Sequence, residues 1–423
     1  MINLYPTNII NIAKTIEENG GRLYLVGGCV RDIILGIPPH DYDYCVTGFD
    51  EKTFESLFSN AIKQGKAFPV YIMDNFEFAL ARTETKRGIK HTDFDFNTNK
   101  STTIYDDLIR RDLTINSMAL DVLTNELIDP FDGKSDIKNK ILKMTSNAFV
   151  EDSLRVYRVA RFSAQLNFDV DNNTLLMMQS MKADLKALSI ERVFTEFQRA
   201  LNSDAPQNFF NVLRKANCLD IHFKEIFDLI GIEQPAIYHP EGDVYNHTMQ
   251  VLEKVSSLTT DTLTRFCALV HDFGKIATPK DNWPHHYNHD KLGIALVKNF
   301  CNKLKMPTLY LKAGCLTSQE HMLAGIFDTL RPGKKVDFFE RIFKSKSISF
   351  EGLEIIANCD TKKIPPIKFA ALGNAVMENI KFDDNDKESI QNIKDEKEKI
   401  ATIKNILREK RIRFLLSIEN DYK

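Results

Sequence analysis

The sequence contains no apolar run that approaches the length of a membrane span, and its N-terminus has no signal-peptide pattern. Its 7 cysteines include no C-x-x-C pair, which argues against a disulfide framework and favours reduced thiols. Together these absences predict a cytoplasmic protein without a membrane partner. The 423 residues are enough for roughly two to four domains with cores of their own.

A net charge of one sign is also missing, because 56 lysines and arginines are balanced by 58 aspartates and glutamates. A strongly basic composition is the usual footprint of a nucleic-acid-binding protein. Its absence means that any RNA contact must come from local groups of basic residues. One such group lies near the C-terminus and consists of Arg408, Lys410, Arg411 and Arg413.

The most informative stretch begins with a short apolar run at Leu23–Val26, which predicts a buried strand. Gly27 and Gly28 follow it, and the apolar spacing of Val30–Leu35 then predicts a helix. Paired glycines at a strand-to-helix junction let the backbone turn sharply and approach a ligand closely. The N–H groups that begin the helix form an anion site, and Arg31 lies in its first turns. The stretch therefore predicts phosphate binding at Gly28 and Arg31.

Two aspartates follow this stretch. Asp41 and Asp43 are two residues apart in a predicted strand, so their side chains face the same side. Bare carboxylates in that position repel each other unless a divalent cation lies between them, and we predict that both are catalytic ligands of Mg²⁺. The alternative is a helix-cap aspartate and an edge-strand aspartate without a metal. Glu77, beside a predicted hairpin, is either a third carboxylate of this site or a solvated strand residue.

The letters GGCVRD…G…DYD resemble the first motif of the DNA polymerase β-type nucleotidyltransferases. More narrowly, they resemble the class II group, which contains the bacterial CCA-adding enzymes and the poly(A) polymerases. The sequence RRDLTINSMA resembles the second motif of that group, which implies that Arg111 contacts the nucleotide triphosphate. Asp129–Gly133 together with Asp136 resembles the motif that links the head of these enzymes to the neck.

A third motif lies in Glu151–Phe162, where polar residues recur at every third position. They are Asp152, Arg155, Arg158 and Arg161. On an α-helix this spacing gives a polar stripe, and its arginines repel each other unless anions lie along them. Solvent counterions are the alternative to a bound ligand. The run resembles the ED-x-x-R motif of the CCA-adding enzymes, which implies that Asp152 and Arg155 read the Watson–Crick edge of CTP or ATP. The resemblance also implies that Arg158 and Arg161 contact ribose or phosphate.

Histidines concentrate in the second half of the chain, around Leu269–Lys275. The possible metal ligands there are His247, His271, Asp272, His289, His321 and Asp360. Neutral imidazoles beside a carboxylate are typical of a metal-dependent hydrolase. The pattern H…HD-x-G-K…H resembles the HD phosphohydrolase superfamily. It implies that His247, His271 and Asp272 bind Ni²⁺, Co²⁺ or Mg²⁺, with His271 and Asp272 catalytic. A degenerate region with a structural role is the alternative. Asn288 stands where the related segment usually has glycine.

For local structure, the sequence predicts a helix within residues 1–22 and another over Thr53–Ile62. Phe68–Met73 and Phe76–Arg82 are predicted strands of a hairpin that turns at Asp74-Asn75. The polar segment from Lys86 to Thr103 predicts a loop. From residue 151 onward the pattern is helical.

The expected fold is α+β, with a polymerase β-like head of mixed or antiparallel sheet and helices, followed by all-helical regions. We predict a nucleotidyltransferase head at residues 1–140 and a helical neck and body at 141–225. An HD domain at 226–360 and a C-terminal helical segment at 361–423 complete the prediction.

The resemblance covers nearly the full length and implies two activities. The first is addition of CCA to the 3′ end of tRNA from CTP and ATP with Mg²⁺. The second is a metal-dependent phosphohydrolase activity of the HD region, as a 2′,3′-cyclic phosphodiesterase, 2′-nucleotidase and phosphatase. A class II poly(A) polymerase, or an HD phosphohydrolase with an inactive nucleotide-binding head, are the alternatives. We expect a monomer or a homodimer.

Overall fold

The computed structural model describes residues 5–39, 41–65, 69–86, 94–97, 99–361 and 364–422. Contacts divide the chain into two compact units. The first unit extends to Ser189 and includes Asn208–Cys218. The second comprises Ile190–Gln207 and the chain from Leu219 onward. The finer division into four segments stays a prediction.

The described strands all lie in the first unit. They are β1 Arg22–Val26, β2 Asp43–Thr47, β3 Ile62–Gln64, β4 Val70–Met73, β5 Phe76–Leu80, β6 Thr83–Lys86, β7 Phe94–Asn97, β8 Ala119–Asp121, β9 Leu127–Ile128, β10 Ile141–Leu142 and β11 Asp169–Val170. Seven of them form one sheet in the order β3-β4-β5-β2-β1-β8-β9. Strands β2 and β5 run parallel, and the other neighbours run antiparallel. The mixed sheet predicted for the head is confirmed.

Helices make up the rest of the regular structure. They are α1 Thr7–Glu18, α2 Gly28–Leu35, α3 Glu51–Leu57, α4 Ile104–Ile109, α5 Gly133–Asn139, α6 Arg155–Leu166, α7 Asn172–Ser180, α8 Ile190–Leu201, α9 Gln207–Lys215, α10 Lys224–Phe227, α11 Val244–Leu258, α12 Thr262–Val270, α13 His289–Lys303, α14 Thr308–Gly325, α15 Pro332–Ser345, α16 Phe350–Thr361, α17 Ala370–Asn379, α18 Asp384–Ile390 and α19 Glu396–Ile418. Short 3-10 helices lie between some of them.

The central strands β1 and β2 form the core of the head because their residues are mostly apolar. Leu25 and Val46 are completely buried, and Tyr24, Val26 and Cys45 join a cluster with residues of neighbouring elements. Burying each large apolar side chain contributes about 1.5–3 kcal/mol. This core fixes the end of β1 and the beginning of β2, where the paired glycines and aspartates lie.

The predicted hairpin is confirmed. Strands β4 and β5 pair antiparallel around Asp74 and Asn75, whose φ angles are 51° and 65°. Positive φ at both central residues belongs to the type I′ turn, which matches the twist of the two strands. The N-terminal helix is also present as α1, with Ile9, Ala13 and Ile16 buried.

The predicted helix over Thr53–Ile62 is wrong in its extent. Helix α3 begins at Glu51 because the Oδ1 of Asp50 accepts a hydrogen bond from the Thr53 amide at 2.8 Å. It ends at Leu57, and Ile62 begins the edge strand β3 instead.

The predicted loop from Lys86 to Thr103 is wrong in part, because β6 and β7 pair antiparallel across its first half. The sequence FDFN alternates apolar and polar residues as a strand does, a signal that the polar composition of this segment obscured. The rest of the predicted loop at residues 87–93 and 98 lies outside the described residues.

Helix α6 begins at Arg155, so the prediction that Asp152 lies on the same helix is wrong. Asp152 instead follows the 3-10 helix Asn147–Glu151, and its Oδ1 accepts a hydrogen bond from the Leu154 amide at 3.0 Å. Such a local bond holds the backbone in a turn and competes with helix formation. The apolar residues of this run are buried as predicted: Leu154, Val156, Val159, Ala160 and Phe162.

All the regular secondary structure described in the second unit is helical. Helices α13 and α14 pack along each other, and α12 and α16 pack against α14. Across the described residues, no helix has both the length and the apolar character that a membrane crossing requires.

An ion pair between a buried carboxylate and a partly exposed arginine connects the head to α6. The Oδ2 of Asp112 accepts hydrogen bonds from Nε of Arg158 at 2.7 Å and from its Nη2 at 2.6 Å. Its Oδ1 accepts from Asn116 Nδ2 at 3.1 Å and from the Leu113 amide at 2.9 Å. Burial raises the pKa of Asp112, but Arg158 and Asn116 lower it by more, to about 2. The ionised carboxylate therefore stabilises the fold.

We expect Asp112→Ala to lower the free energy of unfolding by about 3 kcal/mol, because it removes a buried carboxylate that a guanidinium binds. A lowered pKa stabilises the fold only while the carboxylate is ionised. The difference from the wild type should be full above the unfolded pKa of 3.8 and should shrink as the pH falls toward about 2. Urea unfolding from neutral pH to about pH 3 measures this.

The exposed Asp169 supplies the control, and Asp169→Ala should change the free energy by less than about 0.5 kcal/mol. A loss of stability that does not depend on pH would contradict the role of the ion pair.

Candidate functional site

A cavity of about 330 Å³ opens in the head, beside the end of β1 and the beginning of β2. Charged side chains of both signs line it: Asp43, Glu77, Arg82, Asp107, Arg110 and Arg111. The structure thus brings Asp43 and Arg111 together, although they lie far apart in the sequence. Carboxylates suited to a metal ion lie beside guanidinium groups suited to a phosphate.

The acidic side of this cavity is built by strand register. Asp43 begins β2 and lies opposite Glu77 in the parallel strand β5, so the two side chains share a face of the sheet. The rings of Tyr42 and Tyr44 stack with their centroids 6.5 Å apart on the other face. The prediction that Asp41 lies in this strand is wrong, because β2 begins at Asp43 and Asp41 is in a bend before it. Asp41 is still close enough for its negative charge to raise the pKa of Asp43.

Electrostatics supports a cation at these carboxylates. The Asp43 side chain is accessible to solvent, but the surrounding protein removes part of its hydration and so raises the pKa of its carboxyl group. The Arg111 guanidinium lowers that pKa, and the negative charges of Glu77 and Asp41 raise it again. A divalent cation relieves this repulsion, and a donor set of oxygen atoms alone fits Mg²⁺. The sequence left open whether Glu77 is a third carboxylate of this site or a solvated strand residue. Its position beside Asp43 favours the third carboxylate.

Glycine is required where the backbone passes the cavity. Gly27 has a φ of 79°, and a Cβ there would lie 2.9 Å from Nη1 of Arg111 and 3.9 Å from Oδ2 of Asp43. Helix α2 begins at the next residue, Gly28, so its first N–H groups lie at this junction. The predicted anion site and the predicted acidic pair are therefore adjacent.

The buried carboxylate of Asp107 holds Arg111 in position. The Oδ2 of Asp107 accepts hydrogen bonds from Nε of Arg111 at 3.1 Å and from its Nη2 at 2.8 Å. Arg110 binds the other oxygen of the same carboxylate. Burial raises the pKa of Asp107, but the two arginines hold it well below its usual range. The Nη1 of Arg111 is thereby directed toward Gly27.

Arg31 is buried and engaged in the head itself. Its Nε and Nη2 donate to Oδ1 of Asp32 at 2.9 and 2.8 Å, and its Nη1 donates to Asn116 at 2.8 Å. Its guanidinium also lies 5.3 Å from the centre of the Phe162 ring. Arg31 thus braces α2 against α6, and a direct phosphate contact by this residue stays a prediction.

The arginines of the α6 stripe are also engaged. Arg155 donates from Nη1 to the carbonyl of Ala148 at 2.7 Å and from Nη2 to that of Arg110 at 2.5 Å. Arg161 donates to Gln165 at 2.9 Å and covers the adjacent aromatic ring. Protein groups therefore satisfy much of the charge that the sequence attributed to ligand anions. The roles predicted for this stripe and for Asp152 stay predictions.

The second unit brings the predicted histidines and aspartates into two groups of donor atoms. The first group is His247, His271 and Asp360, and the second is Asp272, His289 and His321. In each group the donor atoms lie within 4.8 Å of one another. Elements from across the unit contribute to them, from α11 to α16.

Asp272 lies between the two groups. Its Oδ2 is 3.3 Å from Nε2 of His271 and 3.7 Å from Nε2 of His247. Its Oδ1 is 3.4 Å from Nε2 of His289 and 3.7 Å from Nε2 of His321. One carboxylate thus faces both sets of imidazoles and could hold a cation together with either set.

The direction of one buried nitrogen supports a metal ion at these donors. The Nε2 of His271 makes no hydrogen bond within the described structure and is aimed between Asp272 and Asp360. Such a group costs about 1–3 kcal/mol unless something binds it. Burial lowers the pKa of His271, but the two carboxylates raise it to about 10. Lys275, with its Nζ 2.6 Å from Asp272, supplies one cation already.

Three of these imidazoles are oriented by the backbone. The Nδ1 atoms of His271, His289 and His321 lie 2.8, 2.7 and 2.8 Å from the carbonyl oxygen three residues earlier. A proton on Nδ1 leaves Nε2 as the donor that faces the centre, which is the tautomer of a metal ligand.

The backbone around His289 is closely packed. A Cβ at Gly274 would lie 1.8 Å from the carbonyl oxygen of His289, which explains the glycine of the HD-x-G-K motif. Asn288 has a φ of 60°, a conformation that asparagine tolerates better than most residues. The departure from glycine at this position therefore preserves the turn.

Comparison with known proteins matches a family to each of the two regions that contain these residues. The Poly A polymerase head domain family matches residues 23–143, and the HD domain family matches residues 244–326. The family described as "Probable RNA and SrmB- binding site of polymerase A" matches residues 167–230. The Multifunctional CCA protein of Mannheimia succiniciproducens is 41% identical over 355 residues, which cover 81% of this chain and 84% of that protein. That of Nitrosococcus oceani is 42% identical over 326 residues, with 76% and 79% covered.

The chain belongs to the multifunctional CCA protein family. Solved structures agree at the level of the fold. The apo form II of a CCA-adding enzyme has a TM-score of 0.66 at 17% identity, covering 97% of this chain and 93% of that chain. A complex of a CCA-adding enzyme with ATP has a TM-score of 0.63 at 17% identity, covering 97% and 91%.

Sequence reasoning missed several residues of this family member's HD site. Glu241 and His239 contact His247, and Gln234 accepts a hydrogen bond from Lys275 at 2.7 Å. The segment His-Pro-Glu-Gly-Asp just before α11 was the available signal for the first two.

Gly27→Ala should reduce kcat/KM for CTP and ATP by about 100-fold, because the new Cβ displaces the Arg111 guanidinium from its position. The measurement is steady-state nucleotide incorporation, with folding checked by thermal unfolding. Gly36→Ala is the matched control, since Gly36 has a φ of 74° but nothing within 4 Å of an added Cβ. Equal losses in both variants would show that backbone strain, and not the position of Arg111, causes the effect.

Proposed function

We propose that this enzyme adds CCA to the 3′ end of tRNA from CTP and ATP in its head, and hydrolyses phosphate esters in its HD unit. The observation that carries the first activity is the cavity in which Gly27, Asp43 and Arg111 meet. The two groups of donor atoms around Asp272 carry the second.

In the head, the residues divide the work between the two ends of the nucleotide. Asp41 and Asp43 would hold Mg²⁺, with Glu77 as the third carboxylate. A bound Mg²⁺ there would neutralise charge on the reacting phosphate and on the departing pyrophosphate. Arg111 and the N–H groups at the start of α2 would bind the triphosphate and orient it toward the tRNA 3′-hydroxyl.

We propose that Asp152, just before α6, and Arg155, its first residue, select the base. Asp152 can accept from the exocyclic amino group that C and A share, and Arg155 can donate to the ring acceptor beside it. U and G present a carbonyl where C and A present the amino group. Because the Arg155 guanidinium binds two carbonyl groups in this structure, base reading by Arg155 requires that it exchange at least one of these bonds. Arg158 and Arg161 would support ribose or phosphate from the same helix.

The tRNA would contact the segment after the head. The family matched at residues 167–230 carries a description of RNA binding, and a tRNA nucleotidyltransferase of the same fold was solved with a primer tRNA. A cavity of about 670 Å³ in the first unit is lined there by Asn167, Asn208, Arg214 and Lys215. Its amide and cationic groups suit a sugar-phosphate backbone.

In the HD unit, His247, His271 and Asp272 would hold Ni²⁺, Co²⁺ or Mg²⁺ together with the other donors of the two groups. Divalent cations there would supply Lewis-acid activation of water and of the phosphate ester. The substrates proposed are 2′,3′-cyclic phosphates, 2′-nucleotides and phosphomonoesters. We propose that the protein acts in the cytoplasm as a monomer or a homodimer. The described cysteines are all free thiols, as expected in that compartment.

The two activities should separate by mutation, because their residues lie in different units. Asp43→Asn should lower CMP and AMP incorporation into tRNA by at least about 100-fold and leave hydrolysis of a 2′,3′-cyclic nucleotide unchanged. His271→Ala should do the reverse. Both reactions are followed with the full-length protein and an added divalent metal.

Controls are Asp184→Asn and His285→Ala, two exposed residues outside the described cavities and donor groups. Hydrolysis that no divalent metal supports in the wild type would leave the HD unit a structural role. Incorporation that survives Asp43→Asn would refute the metal site of the head.

A further inference from the structure

His247 differs from the other imidazoles of the HD centre in how it is held. The other three place Nδ1 on a backbone carbonyl of their own helix or turn. The Nδ1 of His247 instead lies 2.7 Å from Oε1 of Glu241, a carboxylate whose side chain is 2% exposed. The Nε2 of the same ring lies 2.9 Å from Asp360. One ring thus connects a donor group to a second, buried carboxylate.

His239 approaches the same carboxylate from the other side. Its Nδ1 lies 3.2 Å from Oε1 of Glu241, and its ring meets the His247 ring edge-on with centroids 4.7 Å apart. Two N–H groups that donate to one oxygen fix the direction of that carboxylate more closely than either alone.

The turn that carries both residues is anchored at its end. Asp243 caps α11 by accepting from the Asn246 amide at 2.9 Å, and its other oxygen accepts from the Gly231 amide at 2.7 Å. Gly242, with a φ of 103°, reverses the chain between Glu241 and this cap. The backbone therefore places Glu241 beside the first turn of α11, where His247 lies.

The geometry points to Glu241 as a positioning residue that fixes the ring orientation and tautomer of His247 for a divalent cation, with His239 holding Glu241. This role rests on the proposed metal-dependent phosphohydrolase function. A carboxylate on Nδ1 keeps the proton there, leaves Nε2 as the ligand atom and makes that atom a stronger donor.

The arrangement has an alternative that the test must separate. His239, Glu241 and His247 together also have donor atoms close enough for an ion of their own. In that case His247 would need its Nδ1 deprotonated for one ion and its Nε2 deprotonated for another. A neutral imidazole carries one proton, so the positioning role is the simpler chemistry.

The test measures binding of Co²⁺ to the full-length protein stripped of metal, by calorimetric titration and by the visible absorption of the bound ion. Two Co²⁺ are expected in the HD unit of the wild type, apart from any ion bound in the head, which Asp43→Asn should remove. Glu241→Ala should weaken one of them by about 10- to 100-fold and shift its absorption, since the field of one ligand changes. Glu241→Gln, whose amide oxygen still accepts a hydrogen bond, should restore part of the affinity. Glu253→Ala, an exposed glutamate on α11, should bind as the wild type does.

The variant of the second histidine distinguishes the alternative. His239→Ala should keep two ions and weaken binding less than Glu241→Ala, because it acts only through Glu241. Loss of a third ion in His239→Ala would show that Glu241 is itself a ligand and would overturn the positioning role. Unchanged affinity in Glu241→Ala would also overturn it while leaving the phosphohydrolase proposal intact.

Two further outcomes are decisive. A wild type that binds no Co²⁺ would overturn the metal centre and the role of Glu241 together. Thermal unfolding of each metal-free variant checks the fold. If Glu241→Ala does not fold, Glu241→Gln decides alone, and affinity equal to the wild type would contradict the proposal.

Discussion

The pairing of the buried Asp107 carboxylate with Arg110 and Arg111 is the interaction on which the head cavity depends. A buried carboxylate is strongly unfavourable unless cations surround it, and removing one partner of such a pair typically costs about 3–5 kcal/mol. The ion pairs with Asp107 therefore keep both arginines in place. This positions a guanidinium beside Gly27 before any nucleotide binds, so little reorganisation is required when a triphosphate arrives.

Buried carboxylates also need positive partners at α6 and in the second unit, and the two regions supply them differently. Asp112 joins Arg158, and this bond ties the second motif of the head to the third. In the HD centre, Asp272 and Asp360 are surrounded mainly by imidazoles, and Lys275 is the ammonium that reaches Asp272 among the described residues. These carboxylates also raise the pKa of His271, so the centre attracts positive charge. Divalent cations would supply that charge in place of the proton, which is why we propose metal chemistry for this unit.

The sequence could predict those parts of the fold and sites that depend on short-range regularities. The apolar run before the paired glycines marked β1, and two residues that tolerate positive φ marked the hairpin at Asp74. Spacing could not show what lies across the fold. Arg31 binds Asn116 and Arg155 binds two backbone carbonyl groups, so both are buried, while Arg158 binds Asp112 and stays partly exposed.

Other differences have local causes. Asp152 bonds to the backbone two residues later, which delays the helix that the three-residue spacing indicated. Glu241 escaped notice because its partner His247 lies on the other side of a turn and a helix cap. Asp360, by contrast, was a distant possibility in the sequence, and the packing of α16 against α11 brings it to His247.

The head should add a defined sequence to tRNA and not a polymer of one nucleotide. Incubation of the purified protein with Mg²⁺ and a tRNA that lacks its 3′-terminal CCA tests this. With labelled CTP and ATP together, the product should be three nucleotides longer, should end in adenosine and should grow no further. UTP and GTP should not substitute for either nucleotide. A ladder of adenylate residues from ATP alone would refute this activity and indicate a poly(A) polymerase.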